Sequence, residues 1–311
     1  MITYRSDQAL AIRALRSAAP YIRMYKGKTF VVKAGGGVFA EIATTRALVE
    51  QIGILHYFGV RVVLVHGGGP QLTAVAAALG IATPMIEGRR VTDEKSIEVT
   101  AMVLNGLINT RVLAICRDLN IDAVGISGVD AGLVRAHRRP PVALGSNGAT
   151  VDFGFVGDID AVDTTVLQKL LDNGLMPVVS PLSADASGTL LNINADTVAA
   201  AIGAALGAEK LILCIDAPGI LASVDDPGSL ISYTDVRGLA RLRAEGRIAD
   251  GMAPKAAAIE QALRAGVRRV HVVSYLSPEG ILGEVFTNEG TGTLIVADVN
   301  ALSPAEQQGV P

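Results

Sequence analysis

Cysteine is scarce in this sequence: two among 311 residues, Cys116 and Cys214, each inside an apolar stretch, VLAICRD and LILCIDA. So few thiols argue against a disulfide-stapled secreted scaffold, and their setting is that of buried, reduced cysteines in a cytosolic protein. The four histidines are scattered, and no cluster at metal-ligand spacing is visible, so no protein-held metal is expected. Basic excess is missing as well. The formal net charge of -3 removes the sequence-wide attraction that a nucleic-acid backbone or an anionic membrane surface requires. The most hydrophobic stretch, TVAAAIGAALGAEKLILCIDAPGIL, is interrupted by Glu209, Lys210 and Asp216, so no run is expected to reach membrane-spanning length. The N-terminus lacks the continuous apolar core and cleavage site of a signal peptide. The expectation is a cytoplasmic protein with no nucleic-acid or membrane partner, in which any anion binding is local.

What is present is a large supply of core-forming residues, half of the chain, in a length suited to two lobes or one large α/β unit. Short apolar runs recur: TFVVKAG, VRVVLVHGG, DAVGISG, MPVVSPL, KLILCIDAPG and RRVHVVSY. Helical periodicity fills most of the gaps, over 41–58, 70–79, 93–119, 163–174, 195–207 and 254–266, and a further helix is expected over 6–24. Continuous rather than alternating apolar strands imply burial on both faces, and their alternation with helices implies a mainly parallel sheet between helical layers, an αβα sandwich. Residues 133–162 alternate instead and carry turn signals, which predicts antiparallel hairpins near an edge. Small and polar residues cluster at SADASGT, 183–189, the expected lobe boundary.

In such sheets ligands bind beyond the carboxyl ends of the strands. Two junctions there are rich in glycine: Lys33 with Gly35, Gly36 and Gly37, and VHGGGPQL with Gly67, Gly68 and Gly69. Glycines let backbone N–H groups approach an anion, and a following helix adds the positive end of its dipole; each loop alone is equally explained by tight turning. A Walker A loop is excluded, because KGKT has Ile22 where that motif needs its first glycine. EGRRVTDE offers Arg89 and Arg90 for bidentate grip of a carboxylate, although arginine in a polar turn is usually solvated. LLNINADT sets Asn192, Asn194 and Asp196 at the opening of an alanine-rich helix, where a cap needs only one polar residue. ADGMAPKAA places Lys255 at a helix start, against the usual preference for cations at the far end.

The ordered set K-x-G-G, V-H-G-G-G, G-x-R-V-T-D, N-I-N-A-D and G-M-x-x-K resembles the amino acid kinase family, in the branch that phosphorylates N-acetyl-L-glutamate for arginine biosynthesis, and the resemblance covers roughly residues 12–296. The resemblance implies an N-terminal helical extension (1–27), an acyl-acceptor lobe (28–185) and an ATP lobe (186–311). It also implies MgATP as co-substrate, with the ion held mainly by the nucleotide phosphates. Lys33 and Lys255 would be the cations on the transferring group, Asp196 would orient them, and the N–H groups of Gly36 and Gly68 would stabilise its oxygens. Arg90 would clamp the acceptor α-carboxylate with help from Asn192, and Gly67, Gly68 and Gly69 would line the acceptor site. Lys33, Gly35, Gly36, Asp216 and Lys255 would contact the nucleotide. Glu284 and Gly290 match an arginine effector segment, and the N-terminal helix matches members in which homodimers assemble into hexamers through such helices.

The sequence departs from the family pattern at Ala34 and Gly37, where K-Y-G-G-N-A-M is usual, at Val129 and Ile215, and at SYLSPEG, where DGR is usual. The first departure leaves the acceptor's N-substituent open. So do two other readings: a kinase for a carrier-linked aminoadipate or glutamate, suggested by Arg135, Arg138 and Arg139, and a non-catalytic amino-acid sensor.

Overall fold

The six apolar runs all form strands of one sheet. In the computed structural model, which describes residues 6–299 apart from 87, 145–148, 224–225, 227 and 249, that sheet has eight strands. In chain order they are β1 (Thr29–Ala34), β2 (Arg61–His66), β3 (Ala123–Ser127), β4 (Met176–Ser180), β5 (Lys210–Ile215), β6 (Tyr233–Asp235), β7 (Arg269–Ser274) and β8 (Thr293–Val296). Across the sheet the order is β6-β8-β7-β5-β1-β2-β4-β3. All neighbours pair in parallel except β7 and β8.

The interiors of the central strands are mostly apolar because both faces are covered. Val31, Val63, Leu211 and Leu213 enter one core with the helices Ala195–Ala205 and Ala253–Arg264. Their alternates Phe30, Val32, Val62 and Leu64 enter a second core with the helix Ile42–Tyr57 and the rod Glu94–Asp118. Each fully buried Val, Leu or Ile contributes roughly 1.5–3 kcal/mol, so the two-sided burial carries the fold. The N-terminal helix runs Ser6–Tyr25 and packs Tyr21 edge-on against Phe286.

Three expectations need correction. Glu94–Asp118 is long and apolar enough to cross a membrane by length and composition. It is a core helix: Val99, Val103, Leu104, Ile108, Val112 and Cys116 are buried beneath the sheet. Its middle, Met102–Asn109, is a π-helix, a geometry often found at functional sites. Residues 133–162 do form antiparallel pairs, but in sheets of their own rather than at the edge of the large one. Val134–Arg138 and Gly157–Val162 join Leu182–Ala184 and Leu190–Asn192 in a four-stranded sheet. The polar cluster 183–189 makes the turn between the last two of these, with Asp185 Oδ1 accepting from the N–H groups of Ser187 and Thr189. Finally, β6, the helix Val236–Ala244, the helix Gly280–Phe286 and β8 lie outside the elements foreseen.

Candidate active site

Lys33 is placed by the sheet. It pairs in register with Val65 of β2 and Leu213 of β5, one residue from the end of β1, so flanking strands fix its backbone on both sides. Its side chain is almost wholly buried, and Nζ lies 2.8 Å from Asp196 Oδ1. The other carboxylate oxygen, Oδ2, lies 3.5 Å from Lys255 Nζ. Burial alone would raise the Asp196 carboxyl, but the charges of Lys33 and Lys255 outweigh it, and its pKa is lowered.

The polar cluster NINAD divides its work. Asn194 caps the helix Ala195–Ala205, its Oδ1 accepting from the N–H groups of Asp196 and Thr197. Asp196, two residues further on, faces the lysines. Asn192 ends its strand with Nδ2 donating to Thr92 Oγ1 at 3.3 Å. Lys255 stands in the first turn of the helix Ala253–Arg264, after Pro254, and Nζ also donates to Gly251 O at 3.3 Å.

The two glycine loops touch. Gly67 N–H donates to Ala34 O at 2.8 Å, and Gln71 Nε2 donates to Gly36 O at 2.8 Å. Packing demands two of the glycines: a Cβ at Gly36 would meet Pro70 Cδ at 2.5 Å, and one at Gly68 would meet Ile108 Cδ1 at 2.4 Å. At Gly69 the space is open. The helix Gly69–Ala78 begins with no side-chain cap, a start at which free N–H groups and the helix dipole favour an anion.

Arg90 reaches this helix start, Nη2 donating to Thr73 Oγ1 at 2.8 Å and to Gly69 O at 3.3 Å. Nη1 is buried with no hydrogen-bond partner among the described residues, so the guanidinium keeps donor capacity for a carboxylate. Arg89 beside it is exposed.

These groups line one cleft of about 660 Å³, bounded by Lys33, Gly68, Arg90, Asn192, Asp196 and Lys255 among others, a size suited to small-molecule ligands. Gly35, Gly36, Gly67 and Gly69 line it too. Asp216 does not: it is exposed beyond the end of β5, where its charge, after burial, helps raise the Tyr275 hydroxyl. Glu284 and Gly290 come together elsewhere. Glu284 is buried, accepts from Thr291 N–H at 2.7 Å and Gly292 N–H at 2.9 Å, and lies 2.6 Å from His271 Nδ1. Gly290, at φ +64°, leaves no room for a Cβ beside Glu284 Oε2, 2.9 Å away. Buried Lys210, whose pKa burial pushes down to about 7, approaches His271 Nε2 at 2.8 Å.

Sequence reading missed several participants. Gln71, in VHGGGPQL, bridges the loops but carries no charge to signal it. Arg139 lines the cleft paired with Asp158, Nη2 to Oδ1 at 2.6 Å, a partnership that a separation of 19 positions conceals. His66, by contrast, is the packed strand-end residue its sequence setting implied: its ring meets Phe39 edge-on, Nε2 faces Asn109 Nδ2 at 3.2 Å, and burial lowers its pKa to about 4.

The amino acid kinase family model matches residues 28–274. The chain is 47% identical over 300 residues to the acetylglutamate kinase of Myxococcus xanthus, covering 95% of this chain and 97% of that one. To the acetylglutamate kinase of Symbiobacterium thermophilum it is 43% identical over 282 residues, 91% and 96% of the two. Among solved structures it superposes on an N-acetylglutamate synthase from Neisseria gonorrhoeae complexed with coenzyme A and N-acetyl-glutamate, with TM-score 0.80 and 28% identity. That match covers 93% of this chain, which spans only 64% of the synthase. The carbamate kinase of Giardia lamblia bound to AMP-PNP matches with TM-score 0.62 and 17% identity over 88% of this chain and 99% of its own, a likeness of fold alone. With its fold, its paired lysines on one aspartate and these relatives, the chain belongs to the amino acid kinase family, in the acetylglutamate kinase branch.

Proposed function

We propose that the protein transfers the γ-phosphoryl group of MgATP to the side-chain carboxylate of N-acetyl-L-glutamate, giving N-acetylglutamyl 5-phosphate in arginine biosynthesis. The observation that carries the reading is Asp196 set between Lys33 and Lys255 at the floor of a cleft walled by two glycine loops.

The acceptor carboxylate is ionised at neutral pH and needs no general base. Its attack on phosphorus needs alignment and charge neutralisation instead. Lys33 and Lys255 supply positive charge from the two sides of the reacting group, and the N–H groups of Gly36, Gly68 and the uncapped helix start supply fixed dipoles. Asp196 keeps both ammonium groups in place. Its two oxygens face the lysines, which agrees with a magnesium ion carried chiefly by the nucleotide phosphates. Arg90 and Asn192 hold the acceptor, whose lobe we assign to residues 28–185, with Asn192 reaching in from just beyond that boundary. The nucleotide occupies the side of Lys255, in residues 186–311, with Asp216 at its outer edge.

The carrier-linked reading loses its support, because each arginine of the basic run has an acidic partner: Arg135 with Asp163, Arg138 with Asp152 and Arg139 with Asp158. Retention of Lys33, Asp196 and Lys255 speaks against a sensor. We further assign arginine as feedback inhibitor acting near Glu284 and Gly290, in a cytoplasmic homodimer that assembles into a hexamer through residues 1–27. The contact of Tyr21 with Phe286 ties that helix to the Glu284 segment.

Hydroxylamine trapping with MgATP and a panel of N-acetylglutamate, N-succinylglutamate, aspartate and glutamate, with and without arginine, tests the whole reading. Selective hydroxamate from N-acetylglutamate supports it, and a different preferred acceptor refutes it. An unchanged rate with arginine refutes the effector assignment alone.

A further inference from the structure

The loop after Lys33 has no side chain of its own from Gly35 to Gly37, so whatever holds it must come from outside. One wall is clear: Gly36 abuts Pro70, and Gln71 Nε2 holds its carbonyl. A second wall, at Gly37, is Tyr275. A Cβ at Gly37 would stand 2.4 Å from Tyr275 Oη, 3.2 Å from Cζ and 3.6 Å from Cε1, so the phenol occupies the space a side chain at 37 would need. Tyr275 is itself anchored. Its N–H donates to Ile215 O at 2.9 Å, beyond the paired ends of β5 and β7. Its half-buried ring packs on the core that contains Val38, Phe39, Cys214 and Val273. The departures at Gly37 and at SYL, far apart in sequence, are therefore one feature in space.

We propose that Tyr275 is a positioning residue for phosphoryl transfer: its side chain fills the volume beside Gly37 and clamps the 36–39 turn against Pro70 and Gln71, fixing the Gly36 N–H toward the transferring group. With no phenol there, the turn gains room to retreat, and small displacements of groups aligned on a reacting centre cost rate steeply. The inference rests on the reading that the Lys33 loop holds the nucleotide phosphates.

The test measures kcat and the Michaelis constants for ATP and N-acetylglutamate in Tyr275→Ala, Tyr275→Phe, Gly37→Ala and the Gly37→Ala/Tyr275→Ala double variant, with Lys33→Ala as control. Tyr275→Ala is expected to lower kcat/KM for ATP about tenfold, with the acceptor KM within about twofold. Tyr275→Phe, which keeps the ring, stays within about threefold of the parent, and the double variant is no worse than the worse single one. An unchanged Tyr275→Ala enzyme, a Tyr275→Phe enzyme as impaired as Tyr275→Ala, or single effects that multiply in the double variant would each overturn the proposal. If Tyr275→Ala does not fold, Tyr275→Leu, which refills part of the volume, serves for the same comparison. Activity retained in Lys33→Ala would mean the cradle reading itself fails; a dead Lys33→Ala beside an unaffected Tyr275→Ala removes only this inference.

Discussion

Asp196 and Lys33 form an ion pair of 2.8 Å in which the side chains are 4% and 6% exposed. A pair so buried is held by mutual need: each charge, left alone, would lack both water and partner. Asp196→Asn keeps the shape but withdraws the charge from Lys33 and from Lys255. We expect turnover to fall by about 10²-fold or more. Stability should also drop by roughly 3–5 kcal/mol, the usual cost of breaking a buried pair. Steady-state kinetics and urea unfolding on one preparation check both, and an Asn variant with parental stability would contradict the pairing.

Lys255 differs from Lys33 in exposure, its side chain being 24% accessible at a helix start. Lys255→Ala should therefore lower turnover by about 10²–10³-fold while leaving the fold nearly unchanged. Circular dichroism melting beside the trapping assay separates the two effects; a folded and fully active variant refutes the role.

Arg90 keeps Nη1 free of protein partners among the described residues. Lysine at this position loses the planar fork that grips a carboxylate with two parallel bonds. Arg90→Lys should raise the acceptor KM about tenfold, with the KM for ATP little changed. Equal effects on both substrates would point to a disturbed loop rather than a lost clamp.

His66 is fully buried, and burial depresses its pKa to about 4 from an ordinary 6.5. The unfolded chain thus binds a proton between these values that the folded chain refuses. The stability associated with neutral His66 is complete above about pH 6.5 and is lost as pH falls toward 4, by up to about 3 kcal/mol. His66→Gln should show a shallower decline over that window. Unfolding free energies measured from pH 4 to 7 for both proteins provide the comparison, and parallel curves would remove His66 from the acid response.

Where helices begin was partly written in local chemistry and partly overlooked. Asp235 accepts from Gly238 N–H and opens the helix Val236–Ala244, a cap visible in TDVRG that the apolar periodicity did not emphasise. β8, four residues long, and the helix Gly280–Phe286, seven, are too short for any period to stand out.

The sequence alone determined six strands of the sheet and its layered architecture, because strands buried on both faces must be mostly apolar and helices between them must carry one apolar stripe. It also determined which residues carry charge at strand ends and helix starts: Lys33, Arg90, Asp196 and Lys255 were all legible beside their glycines and caps. Only the tertiary structure decided that one carboxylate serves both lysines, that Gln71 locks the two glycine loops, that the arginine run is neutralised, and that Tyr275 stands where Gly37 has no side chain. Periodicity and capping are set by neighbours within a turn or two of chain. Those pairings join residues 14 to 238 positions apart, and their geometry exists only once the antiparallel hairpins and the parallel crossovers bring the partners together.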